Sequence, residues 1–113
     1  MDFDVQLENE VRSQLNDDIL SFGWMCQIAR LQNPLLSEQD STDAVIDCLM
    51  GLHKDGLLVI GTAFQKNGMV LIDAWMQAGE ELRKRMTSEI AKHIDSTDRD
   101  FCFWAQLSDD HAR

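Results

Sequence analysis

The sequence predicts an α+β domain: three N-terminal helices packed with a small antiparallel sheet, and one long helix inserted before the last strand. Three observations carry this. The N-terminal half repeats apolar residues at helical spacing, broken at Asn16-Asp17-Asp18 and at Asn33-Pro34. Two short apolar runs, 57–64 and 69–72, flank an Asn67-Gly68 turn signal. Beyond Asp73 the apolar period returns to four, and an aromatic run follows at 101–107.

A length of 113 residues suits one compact domain, 1–113, rather than two. With 44% hydrophobic residues the chain can bury a core, which excludes global disorder.

The elements follow in order. Val5, Leu7, Val11 and Leu15 trace a first helix, with Glu8 and Glu10 near its positive end. It stops around Asn16-Asp17-Asp18, residues suited to cap a second helix traced by Phe22, Met25, Ile28 or Ala29, and Gln32. That helix ends before Pro34, because the residue preceding a proline avoids helical angles. Leu35 to Asp40 reads as a turn into a third helix capped by Ser41 or Thr42. Val45, Cys48, Leu49 and Leu52 fall at i, i+3, i+4 and i+7, an apolar stripe. His53 and Lys54 suit the negative end of this helix, and Gly56 its left-handed stop.

Leu57 to Phe64 is expected as a strand, and Met69 to Ile72 as a shorter one returning through the Asn-Gly turn. Ala78, Leu82, Met86, Ile90 and Ile94, with Trp75 one turn upstream, predict the long helix. Glu80 with Lys84 and Glu81 with Arg85 are its expected i,i+4 pairs. Asp95 to Asp100 reads as a polar turn. Phe101 to Leu107 reads as the last strand, with Phe101 and Phe103 on one face and Cys102 and Trp104 on the other. Trp24, Trp75, Phe101, Phe103 and Trp104 are expected in the core; Trp75 or Trp104 is the alternative, a partly exposed anchor for a partner. Three helices, then strands with a helix set between them, is the winged-helix order with an insertion in the wing.

Charge narrows the function. The formal net charge is -10. Residues 1–47 hold ten carboxylates against Arg12 and Arg30, a balance of -8. Affinity for nucleic acid comes mainly from Lys and Arg displacing counterions, so this part is a poor DNA surface and a good one for steering a cationic protein. Asp40, Asp43 and Asp47, three and four residues apart, share one face of the third helix opposite its apolar stripe. Asp17, Asp18 and Glu38 are expected as neighbours, completing the candidate partner-binding set. The basic cluster Arg83, Lys84, Arg85 and Lys92 sits on the inserted helix.

No catalytic signature is present. Gly51, Gly56 and Gly61 do not make a phosphate loop, and Cys26, Cys48 and Cys102 do not combine with His53, His93 or His111 at a metal spacing. No cofactor or metal is expected. The three cysteines read as reduced, buried, small hydrophobes, which points to the cytosol. Met1-Asp2-Phe3-Asp4 is acidic where a secretion signal would be basic, and no apolar run nears the roughly 18 residues of a membrane span.

Ile19-Leu20-Ser21-Phe22-Gly23-Trp24-Met25, Asp55-Gly56-Leu57-Leu58-Val59-Ile60-Gly61 and Phe103-Trp104-Ala105-Gln106-Leu107-Ser108 together resemble a group of small bacterial winged-helix-like proteins. In size, acidity and layout the chain is also similar to immunity proteins of bacterial toxin–immunity systems, including contact-dependent growth inhibition. The resemblance implies a protein that binds a cognate toxin domain, often a basic nuclease, and blocks it. It carries over no functional residue, because immunity surfaces diverge with their toxins. The alternatives are a winged-helix transcriptional regulator binding DNA and a dimerisation or adaptor module.

Overall fold

The computed structural model describes residues 2–93 and 95–108. Among the described residues, four of five helices begin where a side chain takes up a free backbone N–H of the first turn. Asp2 caps α1 (Phe3–Leu15), Ser21 caps α2 (Phe22–Gln32), Ser37 caps α3 (Glu38–Lys54) and Asp95 caps the short α5 (Ser96–Asp100). The exception, α4 (Glu80–Lys92), starts after Gly79, whose φ of 59° breaks the chain direction without a side-chain cap. Two caps differ from expectation. Residues 20–21 form a strand, so the second helix is capped by Ser21 and not by Asn16 to Asp18. The third helix starts at Glu38, and Ser41 is buried inside it, its hydroxyl donating to the Glu38 carbonyl at 2.8 Å.

The strands are β1 (Leu20–Ser21), β2 (Leu58–Lys66), β3 (Met69–Ala74) and β4 (Trp104–Leu107). They form one antiparallel sheet in the order β1-β4-β2-β3. The last strand in sequence is thus an inner strand, pairing Ala105 with both Leu20 and Ile60. Gly61 divides β2: it pairs with Trp104 on one side and Ala74 on the other, and beyond it β2 pairs with β3 alone. A side chain at Gly61 would place its Cβ 2.1 Å from the Asp73 carbonyl oxygen, so the close approach of β3 depends on glycine. The hairpin closes through Asn67 and Gly68 at φ 54° and 78°, the left-handed pair that a tight hairpin turn needs.

The core is built from Leu7, Val11 and Leu15 of α1, Phe22, Met25, Ile28 and Ala29 of α2, and Val45, Ile46, Leu49 and Leu52 of α3. Leu20, Leu58, Ile60 and Ala105 cover it from the sheet, and Leu82 and Met86 from α4. Phe103 is fully buried, 4.9 Å from the Phe22 ring and 5.7 Å from Trp75. Burial of each such large apolar side chain stabilises the fold by roughly 1.5–3 kcal/mol.

The C-terminal third departs most from the sequence reading. The long helix is shorter than its apolar period: Trp75 and Ala78 precede it, while Ile94 lies outside the described residues. Residues 96–100 are helical, not a turn. Residues 101–103 are not strand, so the expected alternation fails. Cys102 and Phe103 both turn inward, and Phe101 is 57% exposed. Only Phe103 of the five aromatics is fully buried; Trp75 and Trp104 are half-buried and Trp24 is 47% exposed.

Candidate functional site

α3 is amphipathic in the sense expected. Ser41, Val45, Ile46, Leu49 and Leu52 face inward, and Asp40, Asp43 and Asp47 are exposed on the opposite side. Glu38 and Asp40 stand in its first turn, where carboxylates meet the positive end of the helix dipole. From Glu38 to Leu52 the helix carries no Lys, Arg or His; His53 and Lys54 close it.

Two arginines, one from α4 and one from α5, reach this acidic face. Arg83 of α4 donates from Nη1 to Asp47 at 2.9 Å, and Arg99 of α5 donates to Glu38. Among the described residues, Asp40 and Asp43 have no cation at ion-pair distance; Asp43 accepts from the Gln39 amide at 2.9 Å. A cleft of about 640 Å³ runs between α3 and the insertion, lined by Glu38, Asp43, Ile46, Ile90, His93 and Arg99.

Asp17 and Asp18 occupy a different place. They lie in the turn between α1 and β1 and line a cleft with Trp24 and Trp104, apart from the cleft that holds Glu38 and Asp43. The candidate carboxylates therefore divide into an α3 group and a group beside the sheet. Sequence reasoning missed this division because it depends on β1, whose two residues are too few to show a period.

The basic cluster of α4 is largely engaged within the fold. Arg83 pairs with Asp47 and lies 3.6 Å from Glu80; Arg85 and Lys92 approach Glu89 at 3.5 and 3.1 Å. These pairs replace the expected Glu80–Lys84 and Glu81–Arg85 contacts. Arg85 also sits over the Trp75 ring at 4.4 Å.

The cysteines are free thiols. Burial pushes Cys26 up to about 12, against a smaller opposing pull from Arg30 and a hydrogen bond to Thr42. Burial also raises Cys48 to about 12, with Glu8 and Asp4 adding to it, and Cys102 to about 11. Cys26 and Cys102 are buried and Cys48 is half-buried. All three therefore hold their protons at neutral pH. Among the described residues no group of three His, Cys, Asp or Glu side chains is placed to hold a metal ion, and no helix is long and apolar enough to cross a membrane.

Comparison with protein-family models, with curated proteins and with solved structures finds no match to this chain.

Proposed function

We propose that the chain is a winged-helix-like immunity protein that binds and neutralises a cognate, cationic bacterial toxin domain through the acidic face of α3. The winged-helix part rests on topology. A short strand between the first two helices pairs with the last strand, which pairs in turn with the strand following α3, and β3-α4-α5 stands as an insertion in the wing.

The observation that carries the function is the charge of α3. In the winged-helix reading this helix is the counterpart of the one that DNA-binding winged-helix proteins turn toward the duplex, yet it presents Asp40, Asp43 and Asp47 and no cation before its last turn. Such a face repels phosphate and attracts Lys and Arg. Arg83 and Arg99 neutralise Asp47 and Glu38 from within, so the charge offered to a partner is concentrated on Asp40 and Asp43. A cytosolic setting follows from this reading.

The reading requires a toxin domain in a neighbouring reading frame, and the test uses that domain. Replacing Asp40→Lys and Asp43→Lys together slows association at low salt by roughly tenfold or more, because steering depends on the field of these carboxylates. Unchanged association would remove α3 from the interface. Salt-dependent binding of the purified protein to arbitrary duplex DNA would replace the immunity reading with that of a transcriptional regulator.

A further inference from the structure

We infer that the cleft between the α1–β1 turn and β4 is a second docking surface, which takes an arginine side chain presented by a protein partner. It has a volume of about 410 Å³ and is walled by Asp17, Asp18, Trp24 and Trp104. The inference is independent of the partner being a toxin, and it concerns a surface separate from α3.

The two indoles are held in place by neighbours other than a ligand. Trp24 donates its Nε1–H to Gln14 Oε1 at 2.6 Å while 47% of the residue remains exposed. Trp104 stacks on Phe101, ring centroids 5.8 Å apart and planes 25° from parallel. The Phe101 side is in turn anchored by α5, whose Asp100 packs so closely on Gly23 that a Cβ there would lie 2.4 Å from the Asp100 Cβ. Rings fixed in this way lose little freedom when a planar group settles on them.

Charge selects the occupant. Asp17 and Asp18 are exposed at the mouth of the cleft, and one Asp18 oxygen accepts only from the Ile19 backbone N–H at 2.8 Å, leaving carboxylate oxygens for a donor. The chain carries a net charge of -10, so an acidic partner is repelled. A guanidinium satisfies both features, stacking flat on an indole and donating in a fork to a carboxylate, which a lysine ammonium does not do. The chain already contains this arrangement once: Arg85 covers Trp75 at 4.4 Å. Among the described residues, no cation lies over Trp24 or Trp104. A neighbouring cleft extends past Ile19 to Met69 and Val70 at the start of β3, a path for the apolar residues flanking the arginine.

The experiment follows the three indole N–H resonances of the intact protein by NMR during titration with a ten-residue peptide alternating arginine and glycine. The expected result is saturable shifts of Trp24 and Trp104, with Trp75 unmoved. The citrulline counterpart, the lysine counterpart, and the Asp17→Asn, Asp18→Asn protein each weaken binding by about fivefold or more. Asp40→Asn, Asp43→Asn, which removes the same net charge from α3, leaves the shifts in place. Since all four carboxylates are exposed, these variants test the site in folded protein. Absence of saturable shifts at Trp24 and Trp104, equal binding of the citrulline or lysine peptide, or insensitivity to the Asp17 and Asp18 changes overturns the proposal.

Discussion

Arg83 on α4 and Asp47 on α3 are joined at 2.9 Å across thirty-six positions of sequence, and Arg99 of α5 and Glu38 of α3 are joined where they line the cleft. α4 and α5 are thereby each tied to α3. Both pairs are partly exposed, so each stabilises modestly. A double-mutant cycle of Arg83→Ala and Asp47→Ala, read by urea unfolding, should return a coupling of about 0.2–1 kcal/mol, smaller at high salt. A value near zero at low salt would mean that apolar packing alone seats α4.

Phe103 is the residue on which α2 and the stretch just after β3 converge, through Phe22 and Trp75. Phe103→Ala should destabilise by about 3–5 kcal/mol, a large share of the stability of an ordinary domain. Phe103→Leu should cost less and remain measurable by urea unfolding. Phe101→Ala, at an exposed ring whose centroid lies 5.8 Å from that of Trp104, should leave the midpoint almost unmoved.

Gly61→Ala places a methyl carbon against the Asp73 carbonyl, and that carbonyl is backbone that cannot swing away. The β2–β3 pairing should loosen, at a cost of about 1–3 kcal/mol. Hydrogen exchange should quicken across 61–66 and 69–74 while α1 and α2 stay protected. Uniform loss of protection throughout would show that the hairpin and the helical core unfold as one unit.

Stability should fall in alkali through the thiols. Burial raises Cys26 and Cys48 from the ordinary 9.0 to about 12, so the folded state favours the protonated form. Their contribution is complete below pH 9 and is lost as pH rises toward 12. Urea unfolding at pH 7.5 and at about pH 10 should show the loss, and Cys26→Ala with Cys48→Ala should flatten the difference. An unchanged slope in the double variant would assign the effect to other groups. Thiol reagents should be slow on folded protein at neutral pH and fast in urea.

Much of this architecture was legible locally. The stripe Val45, Leu49 and Leu52, the cationic last turn of α3, and the Asn67-Gly68 hairpin are short-range signals, and they appear where expected. One miss is local and the others are tertiary. Ser37 and Asp40 already formed a cap signature four residues ahead of the one chosen, and the buried Ser41 is stabilised there by Arg30 from α2, a contact outside any sequence window. The alternation at 101–103 failed because α5 ends at Asp100 and the chain turns before β4 begins, so adjacent Cys102 and Phe103 both face inward. The candidate acidic set was read as one patch because nothing local reveals that Asp17 and Asp18 follow the sheet while Asp40, Asp43 and Asp47 follow α3. In place of the anticipated Glu80–Lys84 and Glu81–Arg85 pairs, Glu80 lies beside Arg83, and Arg85 covers Trp75 and approaches Glu89.

The position of β4 bears on how the molecule is made. Because Ala105 bridges Leu20 and Ile60, the two halves of the sheet have no direct bond to each other until the last strand arrives. Helices α1 to α3 can assemble as soon as they are synthesised, but the sheet cannot zip shut until residues 104–107 have followed. Closure of so long a loop is slow relative to helix formation. Any premature termination short of Phe103 should therefore leave an open, protease-sensitive chain rather than a smaller working one.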